Sequence, residues 1–413
     1  MAMAPKGVEI PRRSRYIYRM NTSPWIETTP RIAGQQVLAS RYAEVVVVGG
    51  GLAGLTAAMT LAEAGVDVVV LEARDDVAKG ISGRQPGMAL VGLADNPHRL
   101  VAAMGISAAK EIVSFGLRNS SLVHECGHLD VVGSLALAKG QERDELADTV
   151  CAAEALGLTA SEWGQAEVEQ SLGVTGMGGA RFVAEDGLVD PRGLCRSIAQ
   201  RAMKAGTTIL CAQRVVRIVD EDNAVSVHTR HHRITTELVV LCGGAQMTPL
   251  DPFFTDKLYP VRTQMVSLDA GPDRFVQACT AQYGHTFWRQ GPAGSLIIGG
   301  CRWATAHLEV GETDDTTTSD DVEARIMGFV KGHIPDLANA AIRSRWSAIM
   351  NFTCDGLPIV GPIPGRPRYL VCGGFNGQQQ GLGMAAGVAV AQGVLTGSAE
   401  GVPRCFSPGR FVG

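Results

Sequence analysis

Residues 44–72 hold the feature that most limits how this chain can fold. The segment "EVVVVGGGLAGL" runs four valines directly into a G-x-G-x-x-G pattern formed by Gly49, Gly51 and Gly54. A helix-forming stretch follows, and a second apolar run, "VDVVVLE", ends in Glu72, 23 residues after Gly49. Runs of β-branched residues bounded by glycine are typical of parallel strands buried on both faces. The segment therefore predicts a strand–turn–helix–strand unit.

The three glycines and the final acid of this unit each have a distinct physical role. Gly49 permits the tight turn, Gly51 lets the backbone approach a pyrophosphate, and Gly54 lets the helix pack closely on the strand. The free N–H groups and positive dipole at the start of the helix favour a phosphate. Glu72 can accept hydrogen bonds from ribose hydroxyls. The unit predicts a dinucleotide site, which at this point could hold either NAD or FAD.

The composition narrows the class of protein without naming a function. The chain has 413 residues, which exceeds the usual size of one core and favours two domains. A net charge of −4 and a pI near 6.2 give no electrostatic signature of a nucleic-acid-binding protein. We interpret the basic segment 11–15, "PRRSR", as a solvated tail. We expect no membrane span, because the sequence has no long uninterrupted apolar run.

The ten cysteines stand singly along the chain, with no C-x-x-C pair. This spacing is typical of reduced thiols in a cytoplasmic protein and does not favour a disulfide framework or a zinc site. The nine histidines are equally scattered. We therefore expect a cytoplasmic protein without a metal centre.

The residues after the first unit favour a flavin over a nicotinamide. A polar connection at 73–87 and a helical region at 96–118 replace the regular strand–helix alternation of an NAD domain. The pattern resumes at Asp190, which can cap a helix whose first turn holds Pro191. Near the C-terminus, the strand "YLVCGG" leads through "FNGQQQG" into a helix of small apolar residues at 382–397, whose N-terminus would point at a ligand in the turn.

The order of these features resembles the D-amino-acid oxidase (DAO) family of FAD-dependent oxidoreductases over roughly residues 43–397. The blocks that carry the resemblance are "VVVVGGGLAGLTAAMTLAEAGVDVVVLEA", "GISGR", "EDGLVDPRGL", "RWSAIMNFTCDGLPIVG" and "LVCGGFNGQQQGLGMAAGVAVAQGVL". The family includes glycine oxidase, sarcosine oxidases and γ-glutamylputrescine oxidase. The segment "SPWIETTP" before the first block is most similar to the γ-glutamylputrescine oxidase branch.

The resemblance implies an α/β plus α+β fold. It combines a Rossmann-like, glutathione-reductase-like FAD-binding domain with a substrate domain built on an antiparallel sheet. The implied FAD-binding domain is discontinuous and comprises residues 43–120, 183–248 and 346–400. The substrate domain comprises 121–182 and 249–345, between an N-terminal extension at 1–42 and a C-terminal tail at 401–413.

By the same resemblance, FAD contacts come from the glycine turn, the end of the second strand, the "SGR" loop, the strand at 215–216 and the C-terminal turn. The residues are Gly49, Gly51, Leu52, Ala53, Gly54, Glu72, Ala73, Arg74, Ser82, Gly83, Arg84, Val215, Val216, Gly243, Gly374, Phe375, Asn376, Gly377, Gln378 and Gln379. Ala348 stands where sarcosine-type members carry a flavin-bound cysteine, and Cys354 is not its equivalent. Non-covalent FAD is therefore expected.

The resemblance also suggests catalytic-site residues. Arg289 lies just before a Gly-Pro turn, where several members place an arginine that clamps the substrate carboxylate. An exposed arginine in an ion pair is the alternative for Arg289, and Arg262 and Arg302 are alternative clamps. Trp288 and its neighbour Phe287 could wall an apolar pocket, although buried aromatics in a sheet are more often core. Gln378 occupies the position of a histidine in many members.

The implied reaction is oxidation of a C–N bond in an amino acid or a carboxylate-bearing amine. Hydride passes to flavin N5, the imine hydrolyses, and O2 reoxidises the flavin to give H2O2. Ile297 stands at the position of an oxygen-activating lysine, so a dehydrogenase that uses a quinone or carrier protein is an alternative. The unusual "SGRQPG", with Pro86, and "GQQQG" leave open a non-catalytic flavoprotein subunit. An oligomer is possible.

Overall fold

The computed structural model describes residues 19–20, 22–32, 40–399 and 401–412, so the basic segment 11–15 lies outside the described residues. The helices are α1 (Pro24–Thr28), α2 (Leu52–Glu63), α3 (Pro97–Glu125), α4 (Gln141–Asp144), α5 (Leu146–Ala155), α6 (Gln165–Leu172), α7 (Pro191–Lys204), α8 (Asp320–His333) and α9 (Gln379–Thr396).

The strands form three sheets. In chain order they are β1 (Arg19–Met20), β2 (Ser40–Val48), β3 (Val68–Leu71), β4 (Met88–Ala89), β5 (Leu129–Val131), β6 (Ser134–Ala138), β7 (Ala160–Gly164), β8 (Gly179–Val183), β9 (Gly187–Val189), β10 (Thr208–Leu210), β11 (Val215–Asp220), β12 (Val225–Thr229), β13 (Arg233–Leu241), β14 (Leu258–Asp269), β15 (Ala278–Ala281), β16 (Thr286–Gln290), β17 (Ser295–Gly300), β18 (Ile342–Thr353), β19 (Ile359–Pro362) and β20 (Tyr369–Gly373).

The eight-stranded sheet is built around the valine run of the first motif. Its order is β10-β3-β2-β13-β12-β11, and β20 joins β13 in parallel and pairs with β19. Val45 and Val47 pack into the core that contains α2, and Val46 and Val48 pack into a second core on the opposite face. This confirms the prediction of a parallel strand buried on both faces. The buried helices α2 and α9 pack against each other over the sheet.

The nine-stranded sheet has the order β1-β18-β14-β17-β16-β15-β6-β8-β7. Its neighbours are antiparallel except for β1 with β18 and β15 with β6. One face packs against α8, whose Val322, Ile326 and Val330 lie in a core with Trp288. A three-stranded sheet, β4-β9-β5, shares no strand with either of them.

The two large sheets confirm the predicted fold class. The predicted domain boundary at residue 346 falls inside β18, which pairs with β14 along residues 342–353 and so belongs to the nine-stranded sheet. The N-terminal segment contributes β1 to the edge of that sheet. In the tail after residue 400, Phe406 is buried and its ring meets Phe115 edge to face.

Helix α3 is the one described helix that is long and apolar enough to cross a membrane, judged by length and composition alone. Its backbone is interrupted at Gly105, where φ is +80°. Beyond that point Ile112, Val113 and Phe115 are buried in the core shared with α2 and α9. These contacts suit the core helix of a folded domain. All ten cysteines are free thiols, and the described residues contain no cluster able to hold a metal ion.

A buried ion pair fastens the loop after β3 to α7. Asp76 is fully buried and pairs with Arg192, whose side chain is almost as buried. The Asp76 carboxylate also accepts hydrogen bonds from the backbone N–H groups of Ile32 (3.1 Å) and Val77 (3.0 Å). Arg192 lies in the first turn of α7, and its guanidinium also donates to the Val77 carbonyl at 3.1 Å. The pair therefore holds the N-terminal segment, the loop and the helix together.

Arg192→Met should lower the free energy of unfolding by about 3–5 kcal/mol, because it leaves the Asp76 carboxylate buried without a counter-ion. The Asp76→Asn/Arg192→Met double variant should recover part of the loss, since no charge is then left unpaired. Urea denaturation measures both. Arg201→Met is the matched control, because its ion pair with Glu63 is exposed and worth no more than about 1 kcal/mol. A loss for Arg192→Met as small as that of the control would contradict the expectation.

Candidate active site

The turn from β2 to α2 is shaped by glycines that no other residue can replace. Gly49 has φ of +111°, and a Cβ there would lie 2.6 Å from the Cys242 carbonyl oxygen. A Cβ on Gly54 would lie 2.1 Å from the Gly49 carbonyl oxygen. The obstructing atoms are backbone and cannot move aside, so α2 packs directly on the turn. A Cβ on Gly51, the N-cap of α2, would lie 2.8 Å from the Ser82 hydroxyl oxygen.

Ser82 joins the N-terminal ends of two helices. Its Oγ accepts a hydrogen bond from the backbone N–H of Leu52, the first residue of α2, at 3.0 Å. The same Oγ accepts a second from Nε2 of Gln379, the first residue of α9, at 2.9 Å. Because each helix N-terminus carries a partial positive charge, the site contains two converging positive ends.

Glu72, the acid predicted to bind ribose, is hydrogen-bonded to the glycine turn. The Glu72 carboxylate accepts from the backbone N–H of Gly50 at 2.8 Å and of Arg74 at 2.7 Å. Burial raises the pKa of Glu72, against the effect of these hydrogen bonds. The Arg74 guanidinium pairs with Asp315. The ribose contact of Glu72 stays a prediction, as do the contacts of Ala73 and Arg74.

The "SGR" loop connects the two large sheets. A Cβ on Gly83 would lie 2.1 Å from the Ala78 carbonyl oxygen, so the loop turns tightly there. Arg84 donates from Nη1 to the carbonyls of Asp315 and Ser347, both at 2.9 Å. Burial lowers the pKa of Arg84. The Trp346 indole in turn donates to the Arg84 carbonyl at 2.7 Å, which fastens the loop to β18.

Hydrogen bonds from two asparagine side chains hold the turn before α9. Gly374 has φ of +67° and Asn376 has φ of +52°. Asn376 Oδ1 accepts from the Thr353 N–H at 2.8 Å, and its Nδ2 donates to the Gly374 carbonyl at 2.7 Å. Asn351 on β18 accepts from the Gly374 N–H at 2.9 Å. The start of α9 is therefore held rigidly against the end of β18.

These elements enclose a cavity of about 610 Å³ beneath the nine-stranded sheet. The predicted cofactor residues that line it are Gly51, Ala53, Gly374, Phe375, Asn376, Gly377, Gln378 and Gln379. The others belong to the surrounding turns and strands, outside its wall: Gly49, Leu52, Gly54, Glu72, Ala73, Arg74, Ser82, Gly83, Arg84, Val215, Val216 and Gly243. Val215 is buried, whereas Val216 is exposed.

Beside the turn before α9, two buried side-chain groups of this wall lack a hydrogen-bond partner among the described residues. They are the Asn351 amide nitrogen, a donor, and the Gln379 amide oxygen, an acceptor. Buried polar atoms are normally paired. The edge of a flavin pyrimidine ring offers both acceptors and donors, and the nearby N-terminus of α9 favours electron-rich groups. The residues present therefore fit the flavin that the glycine turn implies.

The roof of the cavity is one face of the nine-stranded sheet. Arg181, Ala136, Thr280 and Phe287 stand side by side on β8, β6, β15 and β16 in continuous register. All four line the cavity. Since side chains alternate between faces of a strand, the neighbours of these residues point to the opposite side of the sheet.

This alternation corrects the prediction for Trp288. The Trp288 side chain is fully buried on the opposite face of the sheet from the cavity, where it packs against Phe275 and Phe329. Its neighbour Phe287 does line the cavity. Trp288 is therefore a core residue and not a wall of the site.

Arg289 is not brought into the cavity wall either. Its guanidinium donates from Nη1 to the carbonyls of Gly87 and Val189, both at 2.8 Å, and the Trp25 ring lies 5.2 Å away. Burial lowers the pKa of Arg289 to about 10. The carbonyl partners and the aromatic ring give Arg289 a structural role at the junction of β4, β9 and α1. The substrate clamp predicted for Arg289 is therefore not supported by its placement.

Of the alternative arginines, Arg302 lies in the cavity wall and Arg262 does not. Arg262 pairs with Glu309 in a buried ion pair. Arg302 donates to the Leu308 carbonyl at 3.0 Å and its guanidinium lies 5.3 Å from the centre of the Phe352 ring. Burial lowers the pKa of Arg302.

The sequence analysis missed several charged residues of the cavity wall, among them Arg181 and Asp186. The Asp186 carboxylate is buried and accepts from the Ser134 hydroxyl at 2.5 Å and the Val91 N–H at 2.7 Å. Burial raises the pKa of Asp186 to about 6. A signal was present in "GARFVAEDG", because an arginine at alternate spacing with Val183 in a short apolar strand places a charge on a buried face.

The positions that the resemblance links to covalent flavin and to oxygen are apolar. Ala348 and Ile297 are buried in one cluster with Trp25, Met265 and Trp346. Cys354 is an exposed thiol after the end of β18. No cysteine therefore stands at the position of the covalent link, and no cation stands at the position of the lysine.

Comparison with known proteins agrees with this geometry. A family model described as "FAD dependent oxidoreductase" (DAO) matches residues 44–393. "Probable oxidoreductase OrdL" of Haemophilus influenzae is 23% identical over 375 residues, which cover 86% of this chain and 83% of that protein. Glycine oxidase of Bacillus licheniformis is 24% identical over 365 residues, which cover 87% of this chain and 94% of that protein.

Solved structures share the fold at low sequence identity. Glycine oxidase from Geobacillus kaustophilus has a TM-score of 0.77 at 22% identity and covers 90% of this chain and 100% of its own. L-Proline dehydrogenase from P. horikoshii has a TM-score of 0.78 at 22% identity, with 90% and 98% covered. Because the family match spans most of the sequence, this chain belongs to the DAO family of FAD-dependent oxidoreductases, and its cofactor is FAD.

Proposed function

We propose that this enzyme oxidises a C–N bond of an amino acid or of another amine that carries a carboxylate. The observation that supports it best is the cavity that joins the N-terminal turn of α9 to a roof containing cationic side chains. Bound FAD would supply a hydride acceptor at this site, and O2 would take the two electrons from the reduced flavin to form H2O2. The substrate is left as an imine, which adds water and releases ammonia or a smaller amine.

The protein groups that would hold the FAD lie at the two helix N-termini. The start of α2, bare of side chain at Gly51, suits the pyrophosphate. The unpartnered amide groups of Asn351 and Gln379 suit the polar edge of the flavin ring. The N-terminus of α9 stabilises negative charge that develops there. Ala348, at the position of the covalent cysteine link, supports non-covalent attachment.

The substrate would lie between this ring and the sheet above it. Phe287, Met350 and Phe352 line the cavity and restrict access of water. Arg302 adds positive charge to the cavity wall, and the Gln378 side chain offers uncharged hydrogen-bonding groups. A neutral amine can lose a hydride without a general base, so orientation of the C–H bond is the main requirement.

A second candidate is a dehydrogenase that passes electrons to a quinone or a carrier protein. The observation that favours it is Ile297, which is fully buried among apolar side chains where a lysine assists oxygen in some members. The named relatives include both kinds of enzyme, a glycine oxidase and an L-proline dehydrogenase. The free thiols support the cytoplasm as the proposed location.

Gly51→Val should give a protein that purifies without flavin, because a side chain there blocks the approach of the pyrophosphate. The measurement is the absorbance of released FAD per polypeptide. Gly80→Val is the matched control, since Gly80 lies in the neighbouring loop at φ of −78° with open space around its Cβ position. A Gly51→Val protein that retains as much flavin as the control would exclude this position from the phosphate site.

Anaerobic addition of an amine substrate should bleach the oxidised flavin band of the holoenzyme. Pools of D-amino acids, L-amino acids, N-methyl amino acids and longer amino carboxylates identify the substrate class. Readmission of air should then restore the band with one H2O2 per turnover if the enzyme is an oxidase. Slow reoxidation by air but fast reoxidation by a quinone would favour the dehydrogenase. A flavin that no amine reduces would refute the proposed function.

A further inference from the structure

At the end of the cavity under β8, three strands away from Phe287, lies an arginine that forms no ion pair within the described chain. Arg181 on β8 lines the cavity, and its Nε and Nη1 are buried with no hydrogen-bond partner among the described residues. The remainder of the side chain is only partly covered, because it faces the cavity. Burial lowers the pKa of Arg181. A buried guanidinium without an ion-pair partner is costly to the folded state, and a bound anion would offset that cost.

Both acids near Arg181 are engaged elsewhere. Glu162 stands directly opposite on β7, but its carboxylate pairs with Arg143 at 3.1 Å. Asp186 receives its hydrogen bonds from Ser134 and Val91. Neither lies within ion-pair distance of Arg181 in the described chain. The Asp186 carboxylate attracts the Arg181 charge without pairing with it, so the guanidinium keeps its hydrogen-bonding capacity for an anion that enters through the cavity.

The roof between the flavin end and Arg181 carries small or apolar groups. Phe287 marks the flavin end, because it packs on the same apolar cluster as Ile81 of the "SGR" loop. Three strand spacings of about 4.8 Å separate Phe287 from Arg181, which places them roughly 14 Å apart across the sheet. The intervening roof residues are Thr280 and Ala136. The apolar side chains of this part of the wall are Leu100, Val113, Leu146, Leu156, Leu158 and Val183. Arg99 and Glu142 also line the cavity, but Arg99 pairs with Glu145 and Glu142 accepts from the Tyr283 N–H.

We propose that Arg181 anchors an anionic group at the far end of the substrate, which is an elongated amine whose carboxylate lies several atoms from the oxidised C–N bond. The amine end would lie under Phe287, an apolar spacer would run past Thr280 and Ala136, and the carboxylate would take the guanidinium fork of Arg181. This assignment rests on the proposed function for the identity of the reacting end. A ligand with an amine at one end and a carboxylate at the other would account for both the unpaired charge of Arg181 and the small roof residues between the two ends.

The test uses the FAD-loaded enzyme and ω-amino carboxylates of increasing length: glycine, γ-aminobutyrate, ε-aminocaproate and ω-aminocaprylate. Hexylamine is the comparison ligand without a carboxylate. Anaerobic flavin reduction gives the rate, and calorimetry gives binding independently of turnover. We expect the longer amino carboxylates to bind tightest and to reduce the flavin fastest.

Arg181→Met should weaken binding of ε-aminocaproate at least 30-fold, as expected for removal of one partner of a buried charge pair, and should leave hexylamine unchanged. Arg181→Lys should restore part of the binding, because it keeps the charge but loses the fork. The melting temperature of Arg181→Met should equal or exceed that of the wild type, since an unpaired buried cation has been removed. Arg201→Met is the surface control.

Two results would overturn the assignment. One is an equal effect of Arg181→Met on ε-aminocaproate and hexylamine together with a lower melting temperature, which is the signature of a structural arginine. The other is a wild-type enzyme that prefers glycine and is indifferent to Arg181→Met. Binding of ε-aminocaproate that depends on Arg181 without any flavin reduction would support the anion site and refute the proposed oxidation.

Discussion

The convergence of two helix N-termini is the constraint on which the rest of the site depends. The starts of α2 and α9 meet at the Ser82 hydroxyl, and each carries about half a positive charge. Such ends repel each other unless an electron-rich group lies between them. The packing of Gly54 on Gly49 and the locked turn at Asn376 hold the two helices in place. A flavin nucleotide satisfies this arrangement because its pyrophosphate and its reduced ring are both negative.

The second constraint is the alternation of side chains in the roof. Adjacent residues on β16 point to opposite faces of the sheet: Phe287 lines the cavity, whereas Trp288 is buried in the core that contains α8. The same rule on β8 turns Arg181 to the cavity while Ala180 faces the core. One face of the nine-stranded sheet therefore lines the cavity, and its other face packs against α8 in a hydrophobic core. A shift of register by one residue would exchange the two.

The first motif was predictable because strand, turn and helix lie within one short segment. The nine-stranded sheet was predictable only as a class, since β6, β8 and β15 are joined by pairings between residues far apart in sequence. The predicted boundary at 346 falls inside β18, because this one strand runs from the nine-stranded sheet to the flavin turn. Helix α9 begins at Gln379, earlier than its small-residue run suggests, because side-chain bonds to Ser82 and Gln85 hold its polar first turn.

Arg289 and Arg181 show why sequence position alone does not identify an anion-binding arginine. Arg289 has the sequence context of a substrate clamp, yet backbone carbonyls and the Trp25 ring already satisfy it. Arg181 has no such context, yet its buried nitrogens have no partner in the described chain. A ligand gains little from a guanidinium that is already bonded and much from one that is desolvated and unpaired. The unpartnered nitrogens of Arg181 are therefore the basis for the proposed anion site.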